Sequence, residues 1–105
     1  MQEQEVELEL FVEEHARGAH VVDVREPDEY RQGHVPGAQL IPLGVVPLRL
    51  HELPRDRPVY VICASGHRSL TAAQQMARVG VDARSVRGGT NAWARTGRPL
   101  DRAQD

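Results

Sequence analysis

The sequence predicts an α/β fold in one domain, residues 1–105: a mostly parallel sheet with helices on both faces. Two observations predict it. The valines that fill the middle of His20–Arg25 and the run Val59–Ile62 are apolar on both strand faces, as strands buried on both faces are. Between and after them lie segments whose apolar residues recur at helical spacing, ended by glycine or proline. Strands that alternate with helices imply parallel pairing and right-handed crossovers. At 105 residues the chain is long enough for a true core; such a domain buries roughly 60–70 % of the surface its unfolded form exposes.

Taken in order, Val6 lies in a short opening strand. Leu8, Phe11, Val12 and His15 share one face of a helix that Gly18 ends, and glutamates at its start suit the positive helix terminus. His20–Arg25 is the next strand, with Asp23 and Arg25 at its carboxyl end. Pro27 opens a short helix through Asp28, Glu29 and Tyr30, where its missing N–H costs little. His34-Val35-Pro36-Gly37-Ala38 is a turn of the kind Pro and Gly favour together. Gln39–Ile41 is a short strand closed by Pro42. Leu43–Leu53 reads as a helical or irregular crossover, because Gly44 and Pro47 interrupt it. Pro58–Ile62 is a strand. A helix follows over Ser69–Val79, with Leu70, Ala73 and Ala77 beside Ala72, Met76 and Val79, a wide apolar band that marks burial. Ala83–Val86 is the last strand. Gly88-Gly89 then turns into a helix through Ala92 and Trp93, and Gly97 to Leu100 closes the domain.

Charge and composition limit the function classes. The net charge of −2 gives no global attraction to nucleic acid. No apolar run approaches the roughly 20 residues that span a bilayer, and the acidic N-terminus has neither the basic region nor the apolar core of a secretory signal. The expectation is a cytoplasmic protein with no nucleic-acid or membrane partner. One cysteine excludes an intrachain disulfide, a two-cysteine metal site and a C-x-x-C redox cycle. The histidines lack zincin spacing, so neither metal nor cofactor is expected. The charge is uneven: residues 1–52 carry −7 and residues 53–105 carry +5. A basic half around Cys63 would favour a small anionic ligand; arginines spread over a solvated face would leave the same count.

The chemistry concentrates at Cys63-Ala64-Ser65-Gly66-His67-Arg68-Ser69. Ligands of open α/β sheets sit at the carboxyl ends of strands, and Cys63 ends one. A cysteine attacks as its thiolate, which a helix N-terminus and a nearby arginine both favour. Backbone N–H groups of Ala64 to Ser69 can curl around the sulfur as an anion nest, with Gly66 allowing the curl and Arg68 adding a permanent cation. A buried, inert cysteine is the competing reading. Spacing narrows the choice. A cysteine phosphatase loop, C-x5-R, would need arginine at position 69; here Ser69 stands there and Arg68 comes one residue earlier. The shorter loop makes a smaller cradle, better matched to one sulfur atom than to a tetrahedral phosphate.

Three motifs in order resemble those of a single-domain rhodanese, a sulfurtransferase. They are Asp23-Val24-Arg25-Glu26 through Glu29-Tyr30 to Gly33-His34-Val35-Pro36-Gly37-Ala38, the C-x-x-G-x-R loop from Cys63 to Arg68, and Gly88-Gly89 with Trp93, Gly97 and Pro99. The resemblance covers nearly the whole chain. It implies a five-stranded sheet. It also implies that Cys63 takes a sulfane sulfur from a small anionic donor such as thiosulfate, becomes a persulfide, and passes the outer sulfur to cyanide, a thiol or a protein acceptor. Around Cys63, Ala64 to Ser69 would form the binding loop and Asp23 and Arg25 would support it. Arg68 would orient the loop, with Asp23 pairing to it or standing as a plain strand-end carboxylate. Arg25 would contact the anionic donor or pair with Glu26 or Glu29. His67 would help bind thiosulfate or stand exposed. Ser65 and Ser69 would donate hydroxyl hydrogen bonds, cap the helix, or both. A persulfide relay serving protein partners and a noncatalytic interaction module are the alternatives.

Overall fold

The polypeptide, in a computed structural model, is described over residues 4–102. Five strands form one parallel sheet: β1 (Glu5–Val6), β2 (His20–Asp23), β3 (Gln39–Leu40), β4 (Val59–Ile62) and β5 (Ala83–Val86), in the order β1-β5-β4-β2-β3. The helices are α1 (Leu8–Ala16), α2 (Pro27–Gln32), α3 (Val46–Arg49), α4 (His67–Ala77) and α5 (Gly89–Arg95).

Side-chain alternation along the strands sorts the core into two layers. Val22, Val59, Val61 and Cys63 face α4, where they meet Ala72, Ala73 and Met76. Val21, Tyr60 and Ile62 face the other way, onto Phe11 of α1 and Trp93 of α5. Both faces of the central strand β4 are buried, which is why its sequence is apolar without a break. The Trp93 indole N–H donates to the Pro99 carbonyl at 2.8 Å, so the tail beyond α5 is tied to the core.

β3 stops at Leu40 rather than Ile41, β4 starts at Val59 rather than Pro58 and α4 ends at Ala77 rather than Val79; three further differences have a clear local cause. β2 ends at Asp23 rather than Arg25; the Arg25 N–H turns back to the Asp23 carboxylate at 3.0 Å instead of continuing the ladder. The crossover after β3 is one turn of α3 between two 3-10 turns, Leu43–Val45 and Leu50–Glu52, with Pro47 in the first turn of α3 where proline is tolerated. α4 begins at His67, two residues before the expected start. Gly66 is the cause: at φ 116° it takes a left-handed conformation and reverses the chain within a single short loop.

Candidate active site

β4 delivers Cys63 to the carboxyl edge of the sheet, and the reversal at Gly66 wraps the chain around its sulfur. The thiol is 1 % exposed. Its Sγ accepts hydrogen bonds from the backbone N–H of Gly66 at 3.1 Å and of Ser69 at 3.3 Å. Its S–H faces the Ser69 hydroxyl at 3.4 Å. Burial pushes the Cys63 thiol up, but the Ser69 hydroxyl and the backbone N–H groups of Ser69, Gly66 and Ser65 outweigh it, and the net shift is downward. The nest expected from Ala64–Ser69 is therefore present, built chiefly from its Gly66 and Ser69 amides.

The orientation of that loop is enforced from outside it. α5 begins directly behind: the Thr90 N–H donates to the Cys63 carbonyl at 2.8 Å and the Asn91 N–H to the Ala64 carbonyl at 3.0 Å. With those two carbonyls held on α5, the amides that follow are left to face the sulfur. The approach is close enough to require glycine at position 89, where φ is 59° and a Cβ would overlap the carbonyl oxygens of Cys63 and Ala64. A second support lies under the loop. The Ser69 hydroxyl donates to the Gly66 carbonyl at 3.2 Å and meets the Ser85 hydroxyl of β5 at 2.7 Å, and both serines are fully buried.

The charged residues pair differently from the expectation. Asp23 does not reach Arg68. It is bound by Arg25, whose Nη2 lies 2.8 Å from its Oδ2 and whose Nε lies 3.0 Å from its Oδ1. Arg25 pairs with neither Glu26 nor Glu29, and it is not open to a donor: only 6 % exposed, it spends its remaining reach on the Gly33 carbonyl at 2.8 Å. The sequence reading placed these residues on one edge correctly, but the turn after β2 folds Arg25 back onto the carboxylate two residues before it. Arg68 instead grips Glu29 of α2 with both ends of its guanidinium, at 2.8 and 2.9 Å. Those hydrogen bonds are the first cause that holds the Glu29 carboxyl at about 2; burial opposes them, and the Glu26 N–H, which donates to Glu29 at 2.9 Å, assists.

The remaining loop residues divide by exposure. His67 and Ser65 are exposed, and Ala64 is half-buried. The Ser65 hydroxyl and His67 Nδ1 lie 3.5 Å apart. Neither serine caps α4, contrary to one expected role: the cap position belongs to Gly66 and carries no side-chain bond. Glu29, Ser85, Gly89, Thr90 and Asn91 had no site role in the sequence reading. Ser85 alone carried a signal, as a small polar residue between Arg84 and Val86 on the strand face it shares with Ala83.

Comparison with known proteins bears on this geometry. Residues 7–96 match the family described as Rhodanese-like domain. A protein named sulfurtransferase from Allochromatium vinosum is 41 % identical over 81 residues, which are 76 % of this chain and 76 % of the relative. A putative sulfur carrier protein of Bacillus subtilis, YrkF, is 41 % identical over 78 residues, 72 % of this chain but only 42 % of the relative's length. Among solved structures, a rhodanese-related protein of Thermoplasma volcanium superposes with a TM-score of 0.84 at 30 % identity, over 93 % of this chain and 97 % of that one.

Proposed function

The chain belongs to the rhodanese-like domain family, and from that premise we propose that it is a sulfurtransferase with Cys63 as nucleophile. One observation carries the reading: the Cys63 sulfur receives the Gly66 and Ser69 amides at 3.1 and 3.3 Å, inside a loop whose carbonyls α5 holds away. Preorganised donors of this kind stabilise an anion without reorganising, and the anion served is the thiolate in one half-reaction and the persulfide in the other.

In the first half-reaction the Cys63 thiolate attacks the outer sulfur of a donor such as thiosulfate. A sulfur–sulfur bond forms on Cys63, the donor's own sulfur–sulfur bond breaks, and its electron pair leaves with sulfite. In the second, cyanide or a thiolate attacks the outer sulfur of the Cys63 persulfide, and the thiolate is restored. The course is covalent catalysis with ping-pong kinetics. The amide cradle spans few residues and makes no bidentate arginine fork available, which supports sulfur over phosphoryl chemistry. A relay role, in which the acceptor is a thiol of a partner protein, gains support from the similarity to YrkF, which is named a putative sulfur carrier. Among the described residues no helix is long and apolar enough to cross a membrane; the cytoplasm is the proposed setting.

Incubation with thiosulfate followed by intact mass measurement tests the reading. The wild type gains one sulfur atom that cyanide removes as thiocyanate, and Cys63→Ser gains none. A wild type that takes up no sulfur, or a Cys63→Ser variant that takes up as much, overturns it.

A further inference from the structure

The arginines at the carboxyl edge of the sheet are already occupied. Arg25 is held by Asp23. Arg87, just past β5, pairs with Glu5 at 3.0 Å and with Glu7 at 3.0 Å. Arg68, the one cation of the Cys63 loop with a fork shaped for an oxyanion, gives both ends of that fork to Glu29. Glu26, at the start of α2, adds a further exposed carboxylate on the α2 side. The arginines beside Cys63 therefore do not present an open basic site.

We propose that Glu29 is a specificity-determining residue of the donor site: by neutralising Arg68 it turns the site away from dianionic thiosulfate and toward sulfane donors of lower charge, such as a thiosulfonate monoanion or the persulfide of an uncharged thiol. The inference rests on the sulfurtransferase reading and adds the donor class to it. A carboxylate fixed on the loop's own arginine cancels the field that would draw in a donor in proportion to its charge, and it claims the guanidinium that would otherwise grip a sulfonate group. The chemistry of the transfer is the same for either donor. The Cys63 thiolate takes the outer sulfur, and the electron pair leaves with sulfite or with a thiolate.

Two donors that differ in charge but share a sulfane sulfur give the test: thiosulfate, a dianion that leaves as sulfite, and benzenethiosulfonate, a monoanion that leaves as benzenesulfinate. The Glu29→Gln variant is suited to it, because glutamine at the third helical position also completes the capping box with residue 26. Its ratio of kcat/KM for thiosulfate to that for benzenethiosulfonate rises about fivefold over wild type, the order expected for one unit charge several ångströms from the donor. Added salt lowers its thiosulfate rate more steeply than it lowers the wild type's. An unchanged ratio, or an equal fall for both donors, means that Glu29 only braces the loop and overturns the proposal. Arg68→Gln provides the check of opposite sign: with Glu29 left uncompensated the ratio falls about fivefold, and no fall overturns the proposal even if Glu29→Gln does not fold. A wild type whose Cys63 is loaded by neither donor defeats the sulfurtransferase reading itself, and the inference falls with it; loading by both donors with an unchanged variant ratio defeats the inference alone.

Discussion

The Ser69 hydroxyl has a single proton and three neighbours that can use it. With the thiol protonated, the Cys63 S–H points to Ser69 Oγ at 3.4 Å and Ser69 donates to the Gly66 carbonyl at 3.2 Å. Once the thiolate forms, the Ser69 proton turns to the sulfur, and Ser85, 2.7 Å away, supplies its own hydroxyl proton to Ser69. The pair of buried serines thus follows the charge on Cys63 without any side chain moving far. Removing the Ser69 hydroxyl deprives the thiolate of one charge-assisted bond, worth about 1.5 kcal/mol. Ser69→Ala accordingly raises the thiol pKa and slows iodoacetamide alkylation about tenfold at neutral pH, as a pH series of alkylation rates will read. Gly89→Ala acts on the other side of the loop. Its Cβ meets the Cys63 and Ala64 carbonyls at a positive φ, so the variant loses at least about 2 kcal/mol of stability in a urea titration. At this scale Cys63, Gly66 and Ser69 were legible because a strand end, a glycine and a helix start fix the backbone around them. The partners of Asp23 and Arg68 were not, since sharing a sheet edge says nothing of which side chain reaches which. Ser85 and Gly89 act across more than fifteen residues of chain, a contact that no local pattern encodes.

Two helices meet through Arg68 and Glu29. α2 starts with Pro27 after the Glu26 cap, and the Glu26 and Glu29 side chains complete a reciprocal capping box. Glu29 therefore stands in a fixed place when α4 arrives with Arg68 in its first turn. Both partners are 36 % exposed, so solvent screens the latch and its contribution is at most about 1 kcal/mol. The sign of its pH dependence follows from the depressed carboxyl. A carboxyl held at about 2 in the folded chain, against an ordinary value of 4.5, stabilises the fold fully above that ordinary value. The contribution fades as the pH drops through the interval and is gone below about 2. The stability difference between wild type and Glu29→Gln, measured by denaturant titration across this range, is largest at neutral pH and vanishes at the acid end. The element boundaries were legible where terminal residues and periodicity agree, as at α1 and α2. The stretch from Leu43 to Leu53 resisted because Gly44 and Pro47 break the helical period. The structure divides it into three separate turns, each too short to leave a pattern.

Across the whole molecule, the order β1-β5-β4-β2-β3 interleaves the two halves of the chain: β4 and β5 lie between β1 and β2. Part of the opposite charge of the halves is spent in the same way. Glu29 of the first half holds Arg68 of the second, and Glu5 and Glu7 hold Arg87. The uneven composition was plain in the sequence, but the cancellation was not, because it depends on which strand lies beside which. Each half keeps only one two-stranded ladder, β2–β3 or β4–β5, and the β1–β5 and β2–β4 pairings need both halves; a two-stranded ladder alone is at best marginally stable. Fragments 1–56 and 57–105, made separately, each give the circular dichroism of an unfolded chain. On mixing they recover helix and strand, with an affinity that falls as salt is added. The parallel sheet itself was legible, since buried strands separated by helices leave few other topologies. Strand order also sets a sequence of events in time. Among the described residues β1 has no partner in the sheet but β5, with Glu5 beside Ser85, so this strand, made before the others, waits for β5. The loop around Cys63 waits longer still, until Thr90 and Asn91 have been made and can take up its carbonyls. A growing chain thus carries its thiol from residue 63 to residue 91 with the Gly66 and Ser69 amides not yet oriented on it, and the cradle forms only once α5 has been made.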